Sequence, residues 1–287
     1  MKKIELIIRK LVSIIKREQL VPVIQIETDT EQFKGRVALI SGGTGGIGLS
    51  IAKTLLSSGC KVILAGTNLD KLKDTIDNLN TSNAAILELN YLKLESFDAK
   101  IEEADKIFGN IDIFVSSAGV HTEGVDFWKV TGEEYNRVMN HYCPDKTQDM
   151  NINLKGTFFM CKSMASYMRR RKLKGNILLV SSTRGFEPAW SPYGISKWAM
   201  NGLTKGLAQI LFEDGITVNA IAPGSTATAL IGINEGDSIY TNENKIGRFI
   251  MPTEVASLAK LLVSGSGKMI SGETIRISAG RGVWDIR

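Results

Sequence analysis

The feature that most constrains this chain is an alternation that begins at Phe33. Short, almost wholly apolar runs are separated by stretches with helical periodicity. Arg36–Ser41, Lys61–Gly66, Ala84–Asn90, Ile111–Ser117, Asn176–Ser182, Ile216–Ala222 and Glu273–Ser278 read as strands. A strand that is apolar on both sides needs cover on both faces, and strands joined through helices run parallel. The pattern therefore predicts an α/β chain with a parallel sheet between two helical layers. No internal repeat and no low-complexity tract competes with this reading.

The chain's 287 residues, 43% hydrophobic and 23% charged, suffice for one large core with a water-facing surface. No apolar run approaches the roughly 18 residues of a membrane span. A net charge of +5 admits an anionic partner. No zinc-finger spacing or RNA-binding aromatic motif accompanies that charge, so no nucleic-acid partner is expected and the basic balance reads as solvated surface. Cys60, Cys143 and Cys161 lack metal-ligand spacing and are too few for a disulfide framework, which points to a reducing, cytoplasmic compartment. His121 and His141 are the only histidines, and no metal site is expected.

Residues 1–32 stand apart from the alternation. Ile4, Ile7, Ile8, Leu11, Ile14 and Ile15 recur at helical spacing among lysines and arginines, and Pro22 then breaks the pattern. An amphipathic helix and an extended arm are expected there, packed on the domain or on a partner subunit rather than on a membrane. Residues 33–287 are expected to form a single domain.

Between the first strand and the first helix lies Ser41-Gly42-Gly43-Thr44-Gly45-Gly46-Ile47-Gly48. Glycines let backbone approach a pyrophosphate closely, and the helix behind them aims free N–H groups at the anion. The position between strand and helix therefore predicts a dinucleotide cradle made by Gly42, Thr44, Gly46, Ile47 and Gly48. Its spacing, G-x-x-x-G-x-G, resembles the T-G-x-x-x-G-x-G turn of the short-chain dehydrogenases/reductases, with Ser41 in the threonine place. That family has N-N-A-G after its fourth strand. Here Ser116-Ser117-Ala118-Gly119 keeps only the Ala118-Gly119 turn that passes the adenine ribose.

Further motifs follow in family order. Tyr193-Gly194-Ile195-Ser196-Lys197 places a phenol and an ammonium four apart, on one face of a predicted helix. A free phenol titrates near pH 10, and a neighbouring ammonium is expected to lower that value toward working range. Ser182 ends the fifth strand eleven residues earlier, with Ser181 as the alternative. Asn153-Leu154-Lys155-Gly156 resembles the family's N-L-x-G segment, and Pro223, Gly224 and Thr228 its P-G-x-x-x-T segment. The likeness covers about residues 35–280.

The resemblance implies a Rossmann-type doubly wound parallel sheet of about seven strands, in the order 3-2-1-4-5-6-7, with helices on both faces. It implies an NAD(P)-dependent oxidoreductase that moves hydride between the nicotinamide and a carbonyl or alcohol of keto-sugar, polyol or 3-oxoacyl type. Tyr193 would be the general acid/base, Lys197 would lower its pKa and hold the ribose, Ser182 would orient the substrate, and Asn153 would support a proton relay. Homodimers or homotetramers are the expected assemblies. At the end of the second strand, Gly66 and Thr67 stand where an acid would mark NAD and an arginine NADP. With no acid to repel a phosphate, NADP(H) is favoured over NAD(H), with Thr67, Asn68 and Lys71 as candidate contacts.

Two other functions share some of these features. Nucleotide-sugar epimerases and dehydratases carry Y-x-x-x-K but need a larger C-terminal domain than remains here after Gly280. A non-catalytic nucleotide sensor or scaffold would have no use for the Ser182, Tyr193 and Lys197 set. One departure from the family is local. Tyr135 lies eighteen residues before Asn153, eleven more than the family spacing, which predicts a loop around Pro144 in the fourth helix. The polar, glycine-rich segment from Ser225 to Arg248 is expected to be a lid over the substrate.

Overall fold

In the computed structural model, the structure describes residues 32–120, 127–128, 130–132, 135, 152–234 and 236–281. The helix and arm expected before Phe33 and the extra residues around 141–151 lie outside that set.

Seven parallel strands form one sheet in the order β3-β2-β1-β4-β5-β6-β7. They are β1 (Val37–Ser41), β2 (Lys61–Gly66), β3 (Ala84–Glu88), β4 (Ile113–Ser116), β5 (Asn176–Val180), β6 (Thr217–Pro223) and β7 (Thr274–Ile277). The long described helices are α1 (Gly46–Ser57), α2 (Leu69–Leu79), α3 (Phe97–Phe108), α4 (Thr157–Arg171), α5 (Pro192–Leu211) and α6 (Pro252–Val263). The strand order reverses between β1 and β4, which opens a crevice at their carboxyl ends.

Period-two alternation divides the core. Val37 and Leu39 of β1, with Ile63 and Ala65 of β2, pack against α3, α4 and α5. Ala38 and Ile40, with Val62 and Leu64, face α1, Leu72 of α2, and α6. Every residue of β1, β4, β5 and β6 is buried, as cover on both faces requires.

Several strands are shorter than the apolar runs suggest. Ahead of β4, the Ile111 N–H leaves the sheet and donates to the Tyr167 hydroxyl at 3.1 Å. Among the described residues no helix is long and apolar enough to cross a membrane, and no cluster of His, Cys, Asp or Glu is suited to hold a metal ion.

Candidate active site

The glycine turn is shaped by backbone crowding. Gly42 has φ +65°, a left-handed conformation, and a Cβ there would lie 2.8 Å from the Ala118 nitrogen. A Cβ on Gly48 would lie 2.3 Å from the Gly42 carbonyl oxygen, and one on Gly46 would lie 2.5 Å from Thr228 Cγ2. The turn thus presses against both the β4 turn at Ala118-Gly119 and the segment after β6. No side chain caps the N-terminus of α1. Its amides are left for an anion, so these residues fit a bound pyrophosphate.

Where the family pattern has asparagines, a buried hydroxyl cluster holds the β4 turn instead. The fully buried Tyr91 phenol donates to Ser41 Oγ at 2.7 Å and lies 3.1 Å from Ser116 Oγ, which in turn lies 3.5 Å from Thr157 Oγ1. Burial pushes the Tyr91 phenol above its ordinary pKa, so it stays a donor. Sequence reading missed this residue. Its only signal is a single tyrosine after β3, flanked by Asn90 and Leu92.

At the end of β2, Thr67 and Asn68 are exposed. The Asn68 side-chain oxygen accepts the Lys71 N–H at 2.9 Å and caps α2, so only the Asn68 amide nitrogen remains for a ligand.

A cavity of about 320 Å³ opens at the carboxyl ends of β5 and β6. It gathers Ile47, Gly119, Ser182, Tyr193, Lys197, Pro223, Gly224 and Thr228 from five separate segments. Gly42, Thr44, Gly46, Gly48 and Ala118 belong to the adjoining turns, and Thr67 and Asn68 lie at the far end of the crevice. Ser182 and Ser181 are told apart by their partners. Ser181 Oγ donates to Asn201 Oδ1 at 2.7 Å, which commits it to packing on α5. Ser182 Oγ accepts the Arg184 N–H at 3.2 Å and hydrogen-bonds the Tyr193 phenol.

Asn153, fully buried, sits in a π-helical turn (Ile152–Gly156) at the entry to α4. Its amide grips the Val120 backbone from both sides: Nδ2 donates to the Val120 carbonyl at 2.9 Å, and Oδ1 accepts the Val120 N–H at 2.8 Å. A Cβ on Gly119 would lie 3.3 Å from Asn153 Oδ1 and 3.9 Å from Lys197 Nζ. The altered spacing before Asn153 therefore leaves it beside the cavity wall. π-turns of this kind are frequent at functional sites.

The electrostatics differ from the expectation in one respect. Lys197 Nζ donates to the Val180 carbonyl at 2.9 Å and lies 5.5 Å from the Tyr193 ring centroid, and burial lowers its pKa to about 8. Burial also raises the Tyr193 phenol above its ordinary value, opposed by the Ser182 hydrogen bond and then by the Arg184 charge. The predicted depression of the Tyr193 pKa by Lys197 is absent. Burial is the largest influence on the phenol, the Lys197 ammonium is turned toward the Val180 carbonyl, and the phenol stays protonated at neutral pH.

A family profile described as short chain dehydrogenase matches residues 36–236. The chain belongs to the short-chain dehydrogenase/reductase family. Members resembling it act on different substrates. The 3-oxoacyl-(acyl-carrier-protein) reductase of Aquifex aeolicus is 31% identical over 256 residues, covering 87% of this chain and 98% of the relative. Galactitol 2-dehydrogenase of Agrobacterium fabrum is 30% identical over 264 residues, covering 87% and 98%. The crystal structure of 3-ketoacyl-(acyl-carrier-protein) reductase from Brucella melitensis complexed with NADH superposes with a TM-score of 0.75 at 26% identity, covering 87% and 99%. This short-chain dehydrogenase/reductase is thus a nicotinamide-dependent oxidoreductase of carbonyl and alcohol groups.

Proposed function

We propose that the protein reduces a ketone, or oxidises the matching secondary alcohol, with Tyr193 as the proton donor and acceptor. The observation that carries this reading is the convergence of Ser182, Tyr193 and Lys197 on one cavity, with Lys197 Nζ 5.5 Å from the Tyr193 ring centroid. Bound across the glycine turn, the dinucleotide supplies or accepts the hydride. The chain's own residues do the rest. Gly42, Thr44, Gly46, Ile47 and Gly48 cradle the pyrophosphate. Ala118-Gly119 passes the ribose, and Pro223, Gly224 and Thr228 border the nicotinamide. Ser182 donates to the substrate oxygen and stabilises the charge that develops on it. Tyr193 gives that oxygen its proton, and Lys197 binds the ribose. Asn153 fixes the Val120 backbone behind Lys197 and in that way supports the proton relay.

NADP(H) is the cofactor we favour. No acid stands at the end of β2. A Cβ on Gly66 would meet nothing closer than Leu72 Cδ1 at 4.0 Å, so a ribose phosphate has room beside Thr67 and the Asn68 amide. The substrate classes we propose are 3-oxoacyl, keto-sugar and polyol, the chemistry of the named relatives. We further propose a homodimer or homotetramer, for which the half-exposed Phe158 of α4 and Ile210 of α5 offer apolar surface.

The deciding experiment is thermal unfolding with each nicotinamide cofactor, followed by kcat/KM for both. A cofactor at about 100 times its Kd adds roughly 2.7 kcal/mol of stability. A shift with NADPH larger than with NADH is expected. A large preference for NADH would sink the cofactor assignment, and no shift with either would sink the oxidoreductase reading of this cavity.

A further inference from the structure

The substrate end of the cavity holds a charge cluster that the proposed chemistry does not use. Arg184, just after Ser182, and Arg281, on the segment following β7, both line it, and Glu243 is the one carboxylate on the described wall. Glu187 stands behind the arginines. Its Oε2 accepts from Arg184 Nη1 at 2.7 Å, while its buried Oε1 lies 3.5 Å from Arg281 Nε and accepts no aligned hydrogen bond. The Glu187 carbonyl accepts from Trp198 Nε1 at 2.7 Å, which ties this loop to α5.

Arg281 Nη1 also donates to Ser225 Oγ at 2.9 Å and pairs with Glu243, a residue of the segment after β6. The two partners differ in setting. The Arg281 side chain is 20% exposed, whereas that of Glu243 is 41% exposed. The arginine is built into the wall, and the glutamate reaches it from solvent. A pair with one partner so exposed contributes little stability, while a guanidinium fork fixed by other groups is suited to a planar or tetrahedral oxyanion.

We propose that Arg281 and Arg184 form a subsite for an anionic group of the substrate, a carboxylate or phosphate a few bonds from the reacting carbon, and that Glu243 occupies it in the ligand-free protein. This deepens the reading of Tyr193 as the acid and rests on it. Proximity to the reacting atom follows from Arg184. Its backbone N–H donates to Ser182 Oγ at 3.2 Å, and its side chain lines the same cavity as Ser182 and Tyr193 and shares Glu187 with Arg281. An anion between the two guanidiniums would therefore lie near the substrate oxygen held by Ser182 and Tyr193.

The test measures binding to the enzyme loaded with oxidised cofactor, in which a ketone binds without turnover. Acetoacetate is titrated against methyl acetoacetate, and dihydroxyacetone phosphate against dihydroxyacetone. At least one charged member is expected to bind about tenfold or more tightly than its neutral partner, as a charge-assisted contact requires, and the pair that discriminates identifies the anion. Arg281→Gln brings that ratio toward one. Glu243→Gln strengthens binding of the charged member severalfold by removing its competitor, whereas a glutamate that only pins the loop would weaken both members alike. Equal affinities in the unmodified enzyme, or weakened binding of both members in Glu243→Gln, overturn the subsite. The Glu243→Gln titration decides alone if Arg281→Gln does not fold. Failure to load either cofactor overturns the functional reading and the subsite with it; normal loading with equal affinities overturns the subsite alone.

Discussion

Buried polar side chains gather at both ends of the sheet, but they are used differently. At the amino ends of the strands, Arg36 donates to Asn176 Oδ1 at 2.6 Å and to the Val263 carbonyl at 2.7 Å. Asn176 Nδ2 donates to Thr217 Oγ1 at 2.7 Å, and Asp112 accepts the Val37 N–H at 3.0 Å. These groups bond one another and close that end. At the carboxyl ends, Ser182, Tyr193 and Lys197 converge on a cavity, and two of them have strongly perturbed proton affinities. The contrast shows what burial of polar groups accomplishes in this fold. Where the groups satisfy each other they stiffen the sheet, and where they face a cavity their desolvation is available to a ligand.

Four substitutions test that contrast, from the largest effect to the smallest. Tyr193→Phe removes the proton donor and is expected to lower kcat about a thousandfold, roughly 4 kcal/mol, while cofactor binding and Tm stay near those of the unmodified enzyme. Retained turnover, measured as loss of cofactor absorbance, would refute the assignment.

The second concerns pH. The folded protein releases the Lys197 proton at about 8, and the unfolded chain near 10.5. Between those values the unfolded chain holds the extra proton, so this residue makes stability rise with pH, by about 3 kcal/mol across the window. Denaturant unfolding of the cofactor-free protein at pH 8 and pH 10 should show about 2 kcal/mol of that rise, and Lys197→Met should lack it. An identical pH dependence in the two proteins would contradict the burial of a charged lysine here.

The third moves to the closed end. Arg36→Leu leaves Asn176 Oδ1 and the Val263 carbonyl without their donor and is expected to cost about 2 kcal/mol of stability. The Kd for the cofactor should not change, and a weakened Kd would mean that the two ends are coupled. The smallest effect is expected from Tyr91→Phe, which deletes the hydroxyl between Ser41 and Ser116. About 1 kcal/mol of stability should be lost. Cofactor affinity should also fall, because the β4 turn that passes the ribose loses its support. If stability alone drops, the cluster is merely structural.

Much of this was legible before any coordinates. The seven apolar runs fall on the seven strands, and Lys61–Gly66 matches β2 end to end. The reason is that period and apolar content are local properties. The glycine turn was legible because crowding by backbone excludes any Cβ. Tyr193 and Lys197 were legible because helical spacing places residues four apart on one face. Arg281, Glu187, Glu243 and Tyr91 were not, since no short-range pattern relates residues 25 to 94 positions apart.

The sequence by itself therefore determined the sheet, the glycine turn and the placing of Tyr193 and Lys197 on one helix. Each depends on geometry within one element or one turn. Only the tertiary structure decided which serine faces the cavity beside the phenol, where the Lys197 ammonium points, and what charges line that cavity. Those outcomes depend on desolvation and on long-range partners. The direction of the Tyr193 shift is the clearest case: helical spacing predicts an ammonium nearby, but only packing reveals that burial sets the direction.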